Sequence, residues 1–319
     1  MQSEIIINQI LILSIIVFIG VVATKSGVIT ETLKEGIASL VVNITLPFLI
    51  FSSFTALDIT LELLKNGLLV ILMSLASLFF LLFAGRLSAA ALKMRRDTSP
   101  IHILHTAFGN IVFLGFPLIN ALFPGGQALF YATLFYMAAT AILWTIGVNL
   151  LNYTDPPGIK QKLRNLVNPN TIAFILGIIF MLSGLRMPAV IDTPLTGLGQ
   201  TTSYLSMLYI GSMLARTDMH RVFIQPEAYV LSVNKMIVSP LLLIIIFRVI
   251  LNSLSLTMDP VAFAVVILQS GTPCMAIIVV LAKKFNANDA LAMENVFIST
   301  ILSLFTLPFL YWVIEVLNF

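Results

Sequence analysis

Gln269-Ser270-Gly271-Thr272-Pro273-Cys274 lies near the middle of an apolar run, about residues 260–282, long enough to cross a bilayer as a helix. Glycine and proline weaken a helix, and proline also removes a backbone donor. In hydrocarbon an unpaired backbone group costs several kcal/mol, so such a break is tolerated only beside packed protein or a wet cavity. A second apolar run, about residues 100–121, carries a similar interruption: Phe108-Gly109-Asn110, followed by Gly115-Phe116-Pro117. For either run alone, packing glycines and an ordinary proline kink would be the plainer account. Both clusters, however, bring polar side chains to mid-span. Two matched breaks point to a binding site at the bilayer midplane.

Outward from these breaks the chain reads as an all-α membrane protein of ten spans. They fall near residues 5–24, 34–55, 64–85, 100–121, 126–152, 168–185, 194–215, 226–251, 260–282 and 289–316. Of the 319 residues, 59% are apolar and 10% charged, far from the balance of soluble domains. The odd-numbered connections hold Lys25, Lys34, Arg86, Lys93, Arg95, Arg96, Lys160, Lys162, Arg164, Arg216, Arg221, Lys283 and Lys284; the even ones hold only Lys65 and Arg186. Cations stay cytoplasmic, so both termini are expected on the non-cytoplasmic side of a multi-pass cell (inner or plasma) membrane protein. The basic balance therefore marks loop sidedness, and nucleic-acid binding has no support. The single Cys274 excludes an internal disulfide framework. Met1-Gln2-Ser3-Glu4 lacks a basic leader, so the first apolar run is expected to remain as a span. The longest soluble-looking stretch runs from Asn152 to Asn165.

An internal repeat emerges at a constant offset. Asn8 then meets Asn170, Ser77 meets Ser239, Arg86 meets Arg248, Gly109 meets Gly271 and Phe123 meets Phe285. The alternative is chance alignment of two hydrophobic halves. Five spans per half make the second half enter the membrane inverted, with repeats at 1–155 and 156–319.

Four motifs then fall in register. Leu46-Pro47-Phe48-Leu49, Asn110 with Gly115-Phe116-Pro117-Leu118, Asn168-Pro169-Asn170-Thr171, and Pro273 followed by Ala282-Lys283-Lys284-Phe285-Asn286 and Asp289 resemble elements of the auxin efflux carrier family. The resemblance covers nearly the whole chain and implies a fold similar to bile-acid sodium symporters, with spans four and nine crossing at their breaks. It implies a scaffold of spans 1, 2, 6 and 7, and a transport domain of spans 3–5 and 8–10 moving in an elevator-like way. Carried over by position, Asn110 and Asn170 would contact a substrate carboxylate. Leu46 and Pro47 would line the cavity, and Pro273 would form the second break. Gly109, Gln269, Ser270, Gly271 and Thr272 complete the expected substrate site. Related folds dimerise through the scaffold, so a homodimer is the expectation by analogy.

The chain departs from the plant members in places. Gly109 stands where they carry proline, Cys274 where they carry glutamine, and the loop after span five is short. Small mono- or dicarboxylates, malate- or malonate-like, are therefore expected rather than auxin. No cofactor or metal is implied.

Ionisable residues within spans are costly enough to be functional candidates. Arg86 and Arg248 sit near span ends, where they can snorkel. Lys235 lies deep in span eight and Glu294 in span ten. Both are coupling candidates: Lys235 to attract anions, pair with Glu294 or lock the domain, and Glu294 to carry protons. His102 and His105 share one helix face without a third ligand, which favours polar lining over a metal site. An enzyme is disfavoured, because His-Glu-x-x-His, Gly-x-Ser-x-Gly and paired intramembrane aspartates are all missing. The leading expectation is a secondary transporter of small organic anions. A sodium-coupled symporter of the bile-acid type is the alternative.

Overall fold

The computed structural model describes residues 2–55, 57–151, 158–215, 226–285 and 287–317. Arg216, Arg221 and Asn286, used above for sidedness and resemblance, lie outside them. Among the described residues the chain is helical apart from connections and one isolated bridge between Gly109 and Cys274. Taken as continuous runs, the helices are α1 (Gln2–Lys25), α2 (Glu31–Thr55), α3 (Leu61–Ala91), α4 (Ser99–Ala107), α5 (Ile111–Leu122), α6 (Gly126–Leu151) and α7 (Ile159–Leu166). They continue as α8 (Pro169–Ser183), α9 (Ala189–Ala215), α10 (Pro226–Ser253), α11 (Pro260–Ser270), α12 (Ile277–Lys284) and α13 (Asp289–Val316).

Five helices, α2, α3, α6, α10 and α13, are long and apolar enough to cross a membrane. Shorter apolar helices are Leu11–Lys25 within α1, α5, α8 and α11. Hydrocarbon leaves the backbone only itself to bond, which is why such runs become helices. Several begin on a side-chain cap. Asn168 Oδ1 accepts from the N–H groups of Asn170 and Thr171 ahead of α8, and Asp259 accepts from Ala262 ahead of α11. Gly184, with φ of 66°, closes α8 in the left-handed conformation.

Three of the wide π turns share one spacing with proline. Val41–Thr45, Ile111–Gly115 and Asn234–Val238 are each followed by one residue and then Pro47, Pro117 and Pro240. A proline ring clashes with the carbonyl four residues earlier. That carbonyl belongs to Asn43, Phe113 and Met236, the middle residue of each wide turn. Widening the turn relieves the clash while the helix continues.

The stretch from Asn152 to Asn165 holds more structure than its polarity suggests. From Ile159 it forms α7, because Ile159, Leu163 and Leu166 recur at helical spacing between Lys160, Lys162 and Arg164. Asn152 itself lies outside the described residues.

By its internal contacts the chain divides into two compact units. The first comprises Met1–Leu68, Val112–Leu134 and Val167–Thr217. Here α1 and α9 approach backbone to backbone. A Cβ on Gly211 would fall 2.1 Å from the Val17 carbonyl oxygen, and one on Gly20 would fall 2.6 Å from that of Leu208. Small residues allow such contact where lipid supplies no hydrophobic drive between helices. Helix α2 packs on α8 and α9: Phe54 meets Phe174 and Phe130 edge-on, and Thr202 donates to Thr45 Oγ1 at 2.9 Å. The second unit comprises Leu69–Ile111, Phe135–Leu166 and Asp218–Phe319, and it contains both helix breaks.

Candidate binding site at two helix breaks

Helix α4 ends at Ala107, and the chain turns extended at Phe108, with φ of −102° and ψ of 123°. Helix α11 ends at Ser270, and regular helix resumes at Ile277 as α12. The two interruptions meet. Asn110 donates its backbone N–H to Pro273 O at 2.7 Å, and Met275 donates to Phe108 O at 3.2 Å. These bonds flank the antiparallel bridge between Gly109 and Cys274. Two stretches of non-helical backbone thereby satisfy part of each other's demand for partners, as hydrocarbon requires.

Gly109 is what lets them come so close. A Cβ there would fall 1.9 Å from Thr272 Oγ1 and 3.3 Å from Gln269 O. Thr272 in turn donates its hydroxyl to Gln269 O at 2.7 Å, which closes the end of α11. Ser270 donates to Val266 O at 2.8 Å. Cys274 N–H donates to Ser299 Oγ of α13 at 2.9 Å, so the second break is also tied to a continuous helix.

Side chains around the breaks are polar and buried. Asn110, Gln269, Ser270 and Thr272 are each no more than 2% exposed. Neither polar atom of the Gln269 amide has a hydrogen-bond partner among the described residues. An amide stripped of water and left unbonded is costly.

Lys235, fully buried in the wide turn of α10, donates from Nζ to Thr106 O at 3.1 Å. That carbonyl belongs to the last turn of α4, where helical bonding ends and the dipole is negative. The ammonium is therefore a fixed cation serving the end of a half-helix. Asn295 of α13 faces His105, with its amide Nδ2 3.3 Å from imidazole Nδ1. In this orientation the amide nitrogen is the donor. His102 Nε2 lies 2.7 Å from Ser88 Oγ. Glu294 is partly exposed.

Of the residues expected in the site, Gly109, Asn110, Gln269, Ser270, Gly271, Thr272 and Pro273 all fall in the second unit, gathered at the two breaks. Leu46, Pro47 and Asn170 fall in the first unit, on α2 and α8; Leu46 and Asn170 are buried and Pro47 is half-buried. Sequence reasoning missed Asn295 and Ser299. Their four-residue spacing puts both on one face of α13, a signal hidden among the apolar residues of that run.

Comparison with known proteins agrees with the resemblance. The family described as membrane transport protein matches residues 5–162 and again residues 155–311. An uncharacterized transporter of Methanothermobacter thermautotrophicus is 28% identical over 299 residues, covering 92% of this chain and 93% of that protein. One of Methanocaldococcus jannaschii is 24% identical over 315 residues, covering 96% and 98%. The mouse lysosomal cholesterol signaling protein is 22% identical over 211 residues, which is 61% of this chain and 24% of that protein. Matched nearly from end to end, the chain belongs to the auxin efflux carrier-like family of membrane transport proteins.

Proposed function

We propose that the protein is a secondary transporter of small organic anions, binding a mono- or dicarboxylate at the paired breaks. The observation that carries this reading is the backbone pairing of Asn110 with Pro273, beside the buried, unbonded amide of Gln269. Helices α5 and α12 both begin at the breaks, and a helix start carries partial positive charge. Lys235 adds a full one. An anion leaving water at this place would exchange hydration for amide donors of Asn110 and Gln269 and for that potential.

The transport step in this reading is an elevator-like displacement. The division into two compact units supports it, because one unit carries both breaks and the other carries α1, α2, α8 and α9, together with Val112–Leu134, which takes in most of α5 and the start of α6. We read the helices as ten spans in two inverted repeats, with α4–α5 and α11–α12 each forming one broken span. In this reading both termini face the non-cytoplasmic side of the cell membrane, which the cation pattern of the loops supports. Gly and Pro at the breaks give the pocket its shape while the unit moves as a body. A homodimer through the first unit fits the same reading.

Lys235 also favours anion transport without a sodium partner. A fixed ammonium beside the break repels a second cation, whereas an anion gains from it. Uptake of a small carboxylate panel into proteoliposomes, with sodium and pH gradients varied separately, tests the whole reading. Saturable uptake that ignores both gradients is expected. Sodium-dependent uptake would replace this reading with the symporter, proton-driven uptake would assign coupling to Glu294, and no uptake of any acid would remove the anion assignment.

A further inference from the structure

The amphipathic helix α7 and the end of α12 bring three cations to one open cavity. Lys160 and Arg164, one turn apart on α7, and Lys284, in the last turn of α12, line it together with Gly158, Gln161 and Asn165. Its volume is about 500 Å³, ample for a phosphate group and part of a glycerol backbone. None of the lining residues is acidic, and none of the three cations forms an ion pair among the described residues. Asp155, the acid nearest α7 in sequence, lies outside them. Elsewhere a basic connection does carry its own counter-ion: Arg95 pairs with Asp97 at 3.2 Å.

Two further observations select the occupant. Leu163, between Lys160 and Arg164 on the same short helix, is 57% exposed, as suits a helix lying in a membrane interface with apolar side chains toward the acyl region. The Lys284 ammonium stands 5.7 Å from the centroid of the Phe285 ring, which steadies it at the cavity rim. Cations without an ion pair among the described residues, beside exposed apolar surface, match an anionic headgroup attached to acyl chains better than a free anion in water.

We propose that Lys160, Arg164 and Lys284 form a binding site for the phosphate headgroup of an anionic phospholipid. The site is separate from the helix breaks and needs no substrate. It ties α7, in the connection after α6, to α12, the second half of the broken helix, through one lipid. Cations near a membrane surface each strengthen binding of anionic lipid by roughly fivefold, and the gain is screened by salt.

The test uses the full chain purified in detergent, titrated with phosphatidylglycerol or phosphatidylcholine and read by native mass spectrometry. Phosphatidylglycerol should bind far more tightly than phosphatidylcholine. Combined Lys160→Gln, Arg164→Gln and Lys284→Gln should weaken it by roughly a hundredfold at low salt. Combined Lys93→Gln, Arg95→Gln and Arg96→Gln, in a different connection, should leave it unchanged. Equal binding by the first triple variant and the parent overturns the site. Displacement of the lipid by inorganic phosphate at equal concentration overturns the lipid assignment in favour of a soluble anion. Because lipid binding is read without transport, failure here leaves the substrate reading untouched, and the reverse also holds.

Discussion

Asn110 and Pro273, 163 positions apart in the chain, are joined backbone to backbone at 2.7 Å. The bond makes the two breaks one object. Neither interruption would be tolerable alone in hydrocarbon, since each exposes amide and carbonyl groups that a continuous helix would satisfy. Proline's carbonyl remains an acceptor although its nitrogen cannot donate, so Pro273 both breaks α11 from α12 and receives the partner's N–H.

Gly109→Ala should damage this junction directly. The new methyl would collide with the Thr272 hydroxyl, so the segments must separate or the threonine must rotate away from Gln269. A loss of about 1–3 kcal/mol in stability is expected from such overpacking. Adding Thr272→Ala should recover part of it, because the nearest remaining atom would be the Cβ at 3.1 Å. Thermal unfolding of the four proteins in this double-mutant cycle measures the coupling, and additive losses would show that the clash does not govern the site.

Asn110→Ala separates backbone from side chain. The N–H bond to Pro273 survives the substitution, so folding and insertion should be preserved. Carboxylate affinity should fall by tenfold or more if the side-chain amide donates to the substrate, since a lost bond to a charged group is worth about 1.5–3 kcal/mol. Proteoliposome uptake over a substrate series, alongside Tm, decides this. Parental affinity in the variant would remove Asn110 from the site.

The breaks were legible because glycine, proline and amide residues stand out against apolar surroundings. Asn168 was equally visible, as part of Asn-Pro-Asn-Thr, and its structural meaning as a helix cap follows from that order of residues. Other features were hidden for a physical reason. Lys235 binds a main-chain carbonyl, and every residue has one, so no partner could be read from the sequence. Asn295 and Ser299 are ordinary residues in an apolar helix until α4 and α11–α12 place His105 and Cys274 beside them. Helix α7 was masked by its charge density, which dominates an eight-residue segment.

Lys235→Met distinguishes a structural cation from one that also serves transport. The substitution keeps most of the unbranched apolar stem but removes the donor to Thr106 O and the buried charge. Stability should drop by about 1–3 kcal/mol as that carbonyl loses its partner. If the ammonium also attracts substrate, KM for carboxylates should rise beyond any loss of folded protein, while uptake of an uncharged analogue stays unchanged. Equal losses for charged and uncharged substrates would confine Lys235 to holding the end of α4.

Asn168→Ala tests the entry to α8 independently of the breaks. The Asn168 side chain accepts from two N–H groups in the first turn, at 3.0 and 3.1 Å, and Pro169 occupies the position whose N–H would be unbonded anyway. Alanine leaves those donors without the cap, at a cost of about 1 kcal/mol. Asn168→Asp should retain most of the stability, because a carboxylate accepts equally well and meets the positive end of the helix. Tm should therefore rank the parent and Asn168→Asp together above Asn168→Ala. Uptake per folded molecule should remain near the parental value in both variants, since the helix they begin lies in the unit without the breaks. A large loss of uptake at parental Tm would instead place this cap, with the neighbouring Asn170, in contact with the transported anion.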